Sequence, residues 1–362
     1  LLRPTSDTGM TFFPGIPAIS PDAQAGLVGL AVGLLIGGAA RLADFCTLSA
    51  IETAVLGRDY RRIHIWGIAL GSAIIGTHMA DAAGLMNIPS SVYHAIAWNP
   101  FASIIGGLIF GYGMALAGNC GFGALIRAGG GDIRSIVIVV VLGISAYFTL
   151  AGPFGPLRNR LFPQEVQDGS HGIAISLSSL LGVSPLWIAT LIGTALIALG
   201  LRHPQVRRSS VTIVGAVVVG LSVVLAFVGT SFVANESLDA VLVEGPSYTT
   251  PIGRTILYLM TSTGTMPSFS VGLVGGTLAG AFLATKWRRT FHWEACDDPR
   301  ELGRQLGGAV LMGVGGVIAL GCTIGLGLTA TATLAWAGPV TLGAIAIGTY
   351  VGLVHLVAGS DD

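Results

Sequence analysis

Residues 106–123 read Gly-Gly-Leu-Ile-Phe-Gly-Tyr-Gly-Met-Ala-Leu-Ala-Gly-Asn-Cys-Gly-Phe-Gly, and residues 308–325 read Gly-Ala-Val-Leu-Met-Gly-Val-Gly-Gly-Val-Ile-Ala-Leu-Gly-Cys-Thr-Ile-Gly. With Cys120 set on Cys322, Gly106, Gly111, Gly113, Ala117 and Gly123 meet Gly308, Gly313, Gly315, Ala319 and Gly325 at identical offsets, six agreements in 18 positions. Each stretch is apolar enough to enter lipid, and each is studded with glycine where a helix is weakest. Gly118, Gly121 and Gly123 surround Cys120, and each lowers helix propensity by about 1 kcal/mol relative to alanine. Both segments are therefore expected to break at their cysteine. The freed backbone N–H groups of a half-helix, together with its positive dipole end, attract an anion without a formal charge.

The rest of the chain supports a membrane setting. Of 362 residues, 52% are hydrophobic and only 10% charged, with a mean hydropathy of +0.78. A soluble domain carries about 25% charged residues, so the missing polar surface faces lipid. Glycine occurs 54 times, which suits helices that approach closely in a bilayer and break where they line a cavity. Net charge is zero, leaving no electrostatic case for nucleic-acid binding.

Apolar stretches at 25–40, 63–86, 101–126, 135–152, 185–201, 211–233, 255–285, 305–335 and 339–358 suggest roughly nine to thirteen full or partial helical spans. The piece at 172–183 is too short to cross alone. Arg41, Arg58, Arg61, Arg62, Arg127, Arg134, Arg202, Arg207, Arg208, Lys286, Arg288 and Arg289 fall in alternate loops, which assigns those loops to the cytoplasm. The loop 153–184, with Arg158 and Arg160, breaks the alternation. Trp66, Trp98, Trp187, Trp287 and Trp293 sit near expected span ends and read as interfacial anchors.

A second internal match lies upstream: Gly26-Leu27-Val28-Gly29 and Gly272-Leu273-Val274-Gly275 are identical. The expected fold is thus an all-α integral membrane protein, a pseudo-symmetric bundle of two repeats with broken half-helices. Repeat 1 spans about 25–152 and repeat 2 about 211–358, with 153–210 between them, all within one transmembrane domain at 25–358. Residues 1–24 carry Pro4, Pro14, Pro17 and Pro21 and read as a polar tail rather than a cleavable leader. Duplicated halves with interrupted spans place a site between the repeats.

Four cysteines are too few for a disulfide scaffold in so long a chain. Cys120 and Cys322 sit at the breaks, Cys46 follows the first Gly-Leu-Val-Gly helix, and Cys296 lies in a charged loop. A thiol offers a weak donor and a soft surface, suited to a sulfur-containing anion that must bind weakly enough to leave. The rival chemistry is ligation of a soft metal, but no Cys-x2-Cys pair accompanies these thiols, and no metal or cofactor is expected. No Gly-x4-Gly-Lys-Ser/Thr motif for ATP occurs. His78 and Asp81, three apart, are an alternative proton relay or simply interfacial polar residues.

The segments around Phe45-Cys46, Gly118–Gly123 and Gly321–Gly325 resemble the YeeE/YedE membrane proteins, whose characterised members take up thiosulfate. The resemblance runs from about 25 to 358. It implies an hourglass-shaped helical protein in a bacterial inner membrane, with short helices dipping to mid-membrane. It further implies a narrow route for the anion marked by the thiols of Cys120, Cys322 and Cys46. The backbone at Gly121, Gly123, Thr323 and Gly325 is expected to face that anion. Some relatives work with a small TusA-like sulfur-carrier protein, and others handle selenium. Sulfite, sulfide and selenium analogues therefore stay open beside thiosulfate. So does a different class, a sulfur-transfer enzyme with a cysteine persulfide, and a third, a scaffold subunit indifferent to both break cysteines.

Overall fold

A computed structural model of the chain describes residues 20–164, 172–236, 242–294 and 299–358. Most of the expected tail at 1–24, and Cys296, lie outside the described residues. Among the described residues the chain is helical, and eight helices are long and apolar enough to cross a bilayer. A ninth arises if α7 (Ile173–Leu181) and α8 (Pro185–Gly200), bent by 117°, form one broken span. The protein is an all-α, multi-pass integral membrane protein. Side chains such as Leu27, Leu191, Val214 and Ile347 lie exposed on its flanks, the outward apolar surface a lipid environment requires.

The other helices of eight or more residues are α1 (Pro21–Ala43), α2 (Thr47–Val55), α3 (Arg61–Ala82), α4 (Pro100–Ala117), α5 (Gly121–Gly129) and α6 (Ile133–Leu150) in the first part of the chain. Then follow α9 (Ser210–Glu236), α10 (Thr249–Thr261), α11 (Phe269–Trp287), α12 (Pro299–Ile318), a π-helical segment (Thr323–Ala330) and α13 (Ala337–Ala358). The apolar stretch 255–285, read from sequence as one unit, is divided. α10 ends near Thr261, and α11 starts only at Phe269, after Gly264 and Pro267. Hydropathy alone cannot see that interruption, because the intervening residues are only mildly polar.

Glycine sets the helix spacing. Cβ atoms added at Gly29, Gly33 and Gly37 of α1 would collide with the carbonyls of Phe269, Leu273 and Thr277 of α11. In return, Gly272, Gly276 and Gly280 lie against the carbonyls of Gly26, Leu30 and Leu34. Such backbone contact replaces the hydrophobic drive that lipid removes, through dispersion and weak Cα–H···O bonds. α4 and α12, the two helices that lead into the cysteine segments, meet in the same way: Gly106 lies on Gly315 and Ala319, and Gly113 on Gly308 and Met312.

The basic loops share one face. Arg41 donates to Thr285 Oγ1 at 3.0 Å, Arg288 to the carbonyl of Leu42 at 2.6 Å, and Ile133 N to Glu294 O at 3.1 Å. On the opposite face, Val92 N donates to Val243 O at 3.2 Å and Ile173 N to Leu334 O at 2.8 Å. Trp66 is not an interfacial anchor: it is 8% exposed and stacks on Phe45, ring centroids 4.8 Å apart. Trp187, Trp287 and Trp293 do lie exposed.

Candidate functional site

Both expected breaks occur, and each is built the same way. α4 stops at Gly118, whose φ of +71° is the left-handed region where glycine carries no Cβ penalty. The chain then runs extended through Cys120 and restarts as α5. In the second segment α12 ends before Leu320, which takes the same left-handed turn at φ 68° without glycine's freedom, at a cost of roughly 1–2 kcal/mol. Cys322 is again extended, and the π-helical segment follows. Both cysteines are N-caps. Gly123 N donates to Cys120 Sγ at 3.3 Å and Gly325 N to Cys322 Sγ at 3.4 Å.

This arrangement changes the expected role of the backbone. Of the four positions expected to face an anion, Gly123 and Gly325 already donate their N–H to a thiol sulfur, while Gly121 and Thr323 begin their helices. Sulfur is a weak acceptor, so the cap is loose. A charged oxygen accepts the same N–H far more strongly.

The three named thiols are brought together. Cys46 is the residue before α2, at an elbow set by Asp44 in a left-handed conformation (φ 52°) and by Phe45 N donating to Ala40 O at 2.9 Å. Above Gly123, a Cβ would stand 3.6 Å from Cys120 Sγ and 3.7 Å from Cys46 Sγ. Cys46, Cys322 and the Thr323 side chain all lie in the surroundings of the Cys120 thiol. Cys120 is wholly buried, Cys322 is 1% exposed and Cys46 is half-buried. Among the described residues the thiols are free, and no three of His, Cys, Asp and Glu gather as a metal site would require.

On the basic face a cavity of about 210 Å³ reaches inward to this cluster, with room for several waters at ~30 Å³ each. Arg41, Arg62 and Arg127 stand around it with Asp44, while Cys46 and Asn119 line it. Among the described residues none of the three arginines forms an ion pair. The sequence shows them only as topology signals, because the fold alone gathers three separate loops.

A second group escaped the sequence reading altogether. The segment 242–248 folds against the π-helical segment from the far face. Thr329 Oγ1 donates to Pro246 O at 2.7 Å, and Ser247 Oγ lies 4.0 Å from Cys322 Sγ. Tyr248, fully buried, shares a 2.9 Å hydrogen bond with Thr277 and packs on Phe122 at 4.8 Å between ring centroids. His78 and Asp81, by contrast, do not form a relay. His78 Nδ1 lies 3.0 Å from Ile74 O, and Asp81 accepts from Ile88 N at 2.9 Å.

A thiosulfate transporter, TsuA of Escherichia coli (strain K12), is 29% identical over 351 residues, covering 92% of either chain. Another of that name, from Spirochaeta thermophila, is 28% identical over 320 residues, 85% of this chain and 92% of the relative. The family model described as sulphur transport matches residues 42–351, a span holding Cys46 and both cysteine-capped breaks. The chain belongs to that sulphur-transport (YeeE/YedE) family of membrane proteins.

Proposed function

We propose that this protein is a bacterial inner-membrane permease that takes up thiosulfate, relaying it past the thiols of Cys322, Cys120 and Cys46 toward the basic face. The reading is carried by one observation: three free thiols adjoin at two facing, cysteine-capped helix breaks beneath an arginine-rimmed cavity. The names of the relatives supply thiosulfate as the ion. Chemistry supports the match, since thiosulfate pairs charged oxygens with a soft terminal sulfur. The oxygens suit loosely capped N–H groups, and the sulfur suits a thiol. Among the described residues no fixed cation stands at the buried thiols, so nothing there holds a dianion too tightly to release.

The anion would leave through the basic cavity, which we place on the cytoplasmic side. A small sulfur-carrier protein of the TusA type would receive it there. Cells carrying the protein should accumulate thiosulfate labelled in its outer sulfur chemically intact. Recovery of the label only as sulfide or as a protein-bound persulfide would overturn the permease reading in favour of sulfur transfer.

The arginines make a separate prediction. Each guanidinium ~8 Å from a dianion contributes about 1 kcal/mol in water before screening. The double variant Arg62→Gln, Arg127→Gln should therefore slow thiosulfate flux through that mouth roughly tenfold at low salt. In proteoliposomes the deficit should shrink as salt on that side rises, since charges are screened over about 10 Å at 0.1 M. A deficit unaffected by salt would assign the arginines to folding instead.

A further inference from the structure

Two short helices start beside the two breaks, α2 just after Cys46 and α10 just after Ser247-Tyr248. Gly123 and Gly325, whose N–H groups donate to the break cysteines, serve as matched reference points. The Cβ position of Gly123 has Cys46 Sγ at 3.7 Å; that of Gly325 has Ser247 Oγ at 2.6 Å. Ser247 thus stands to Cys322 as Cys46 stands to Cys120.

Helix directions lead to the same pairing. α1 and α9 run antiparallel, with Val28 against Gly229 and Ala43 against Gly215. α4 and α12 also run antiparallel, with Gly106 against Gly315 and Gly113 against Gly308. α1 and α11 run parallel, because Gly29 meets Phe269 and Gly37 meets Thr277. A two-fold axis in the membrane plane relates antiparallel neighbours. It can exchange α1 with α9 and α4 with α12, but not α1 with α11. The identical Gly-Leu-Val-Gly runs then reflect two partners packing against each other rather than equivalent positions. In this register α2 answers to α10 and Thr47 to Thr249, so Ser247 lies one residue before the strict counterpart of Cys46; the thiol and the hydroxyl correspond by the place they take beside Gly123 and Gly325.

The surroundings carry unused donors. Thr249 Oγ1, 1% exposed at the start of α10, and Thr323 Oγ1, fully buried beside Cys322, have no hydrogen-bond partner among the described residues. Thr47 Oγ1, at the start of α2, is in the same condition. A buried hydroxyl left unpaired costs free energy that an arriving acceptor recovers.

We propose that Ser247 is a fourth station on the route, the oxygen counterpart of Cys46, which hydrogen-bonds the sulfur oxyanion on the outer side of Cys322. The inference rests on the permease reading above. A hydroxyl donates to charged oxygen more strongly than a thiol does. The outer station therefore grips the oxygens of the ion, and the inner thiols meet its soft sulfur. This order favours ions bearing both.

The test uses the full chain in proteoliposomes, with Ser247→Ala and Ser247→Cys. Serine to alanine should raise the KM for thiosulfate about fivefold, the size of one lost hydrogen bond, while Ser247→Cys should recover most of that loss. In a second measurement, a sulfonated, membrane-impermeant maleimide is added from outside to Ser247→Cys with no thiosulfate present. The introduced thiol should be alkylated well before Cys120 or Cys322. An unchanged KM in Ser247→Ala, a cysteine variant as impaired as alanine, or an introduced thiol that resists alkylation would each overturn the assignment. Absence of thiosulfate uptake by the parent protein would instead fail the permease reading, and the alkylation pattern would still report on Ser247.

Discussion

Replacing Cys120 with serine is expected to cut thiosulfate uptake by roughly tenfold or more while leaving the folded protein as stable as before, or more so. The two effects separate because the cysteine has two roles at one atom. As N-cap of α5, its sulfur accepts Gly123 N–H at 3.3 Å. Serine is among the best N-caps, and its stronger acceptor oxygen tightens that bond by a fraction of the about 0.5–2 kcal/mol that a whole cap contributes. Tightening is what transport cannot tolerate. A passing oxyanion must take the Gly123 N–H away from its cap, which a weak sulfur acceptor concedes and a serine oxygen does not. The soft contact between thiol and terminal sulfur is lost as well. The same reasoning applies at Cys322, which caps Gly325 N–H at 3.4 Å, so the double variant should be nearly inactive. Thermal melting in detergent and uptake by cells lacking other thiosulfate importers check the two halves. Uptake at the parent rate in the double variant would sink the thiol relay.

The sequence carried the breaks well because they are local. Three glycines around Cys120 and the matched spacing of Gly106–Gly123 with Gly308–Gly325 announce a helix that cannot continue, and both interruptions appear where that spacing put them. What it could not carry is anything set by one backbone lying on another. In sequence the loop at 234–254 offers only Glu236, Asp239 and Glu244 against one Arg254, yet Ser247 and Tyr248 reach Cys322 and Phe122 through the packing of Gly325 and Gly245. The arginines of three different loops read as topology signals and become a single rim only in three dimensions. Trp66 misled because its position near a span end is shared by true anchors; its stacking on Phe45 depends on the elbow before α2. Nor does a motif reveal that Cys120 spends its sulfur on Gly123 N–H, since that requires the extended φ and ψ of the cap.

Gly123→Ala is expected to raise stability and to abolish most uptake, the reverse of what a packing glycine would do. A methyl at this position meets Asn119 Oδ1 at 3.3 Å, Cys120 Sγ at 3.6 Å and Cys46 Sγ at 3.7 Å. Two of these are ordinary van der Waals distances, and the third contact, slightly tight, is to a side-chain amide on the edge of the basic cavity. The fold therefore accepts the change, and α5 gains up to about 1 kcal/mol of helix propensity at its third residue. The space occupied, however, is the gap between the two sulfurs. An anion moving from Cys120 to Cys46 needs that gap, and a route of single-ion width is set by its narrowest point, so flux should fall roughly tenfold or more. Gly325→Ala supplies the contrast. Its methyl would stand 2.6 Å from Ser247 Oγ and 2.9 Å from Ser247 Cβ, so the 242–248 segment must shift and stability should drop along with uptake. Melting temperature and uptake thus move in opposite directions at Gly123 and together at Gly325. If Gly123→Ala transports at the parent rate, thiosulfate does not pass between Cys120 and Cys46. The half-buried Cys46 would then be a wall of the arginine cavity rather than a step on the route.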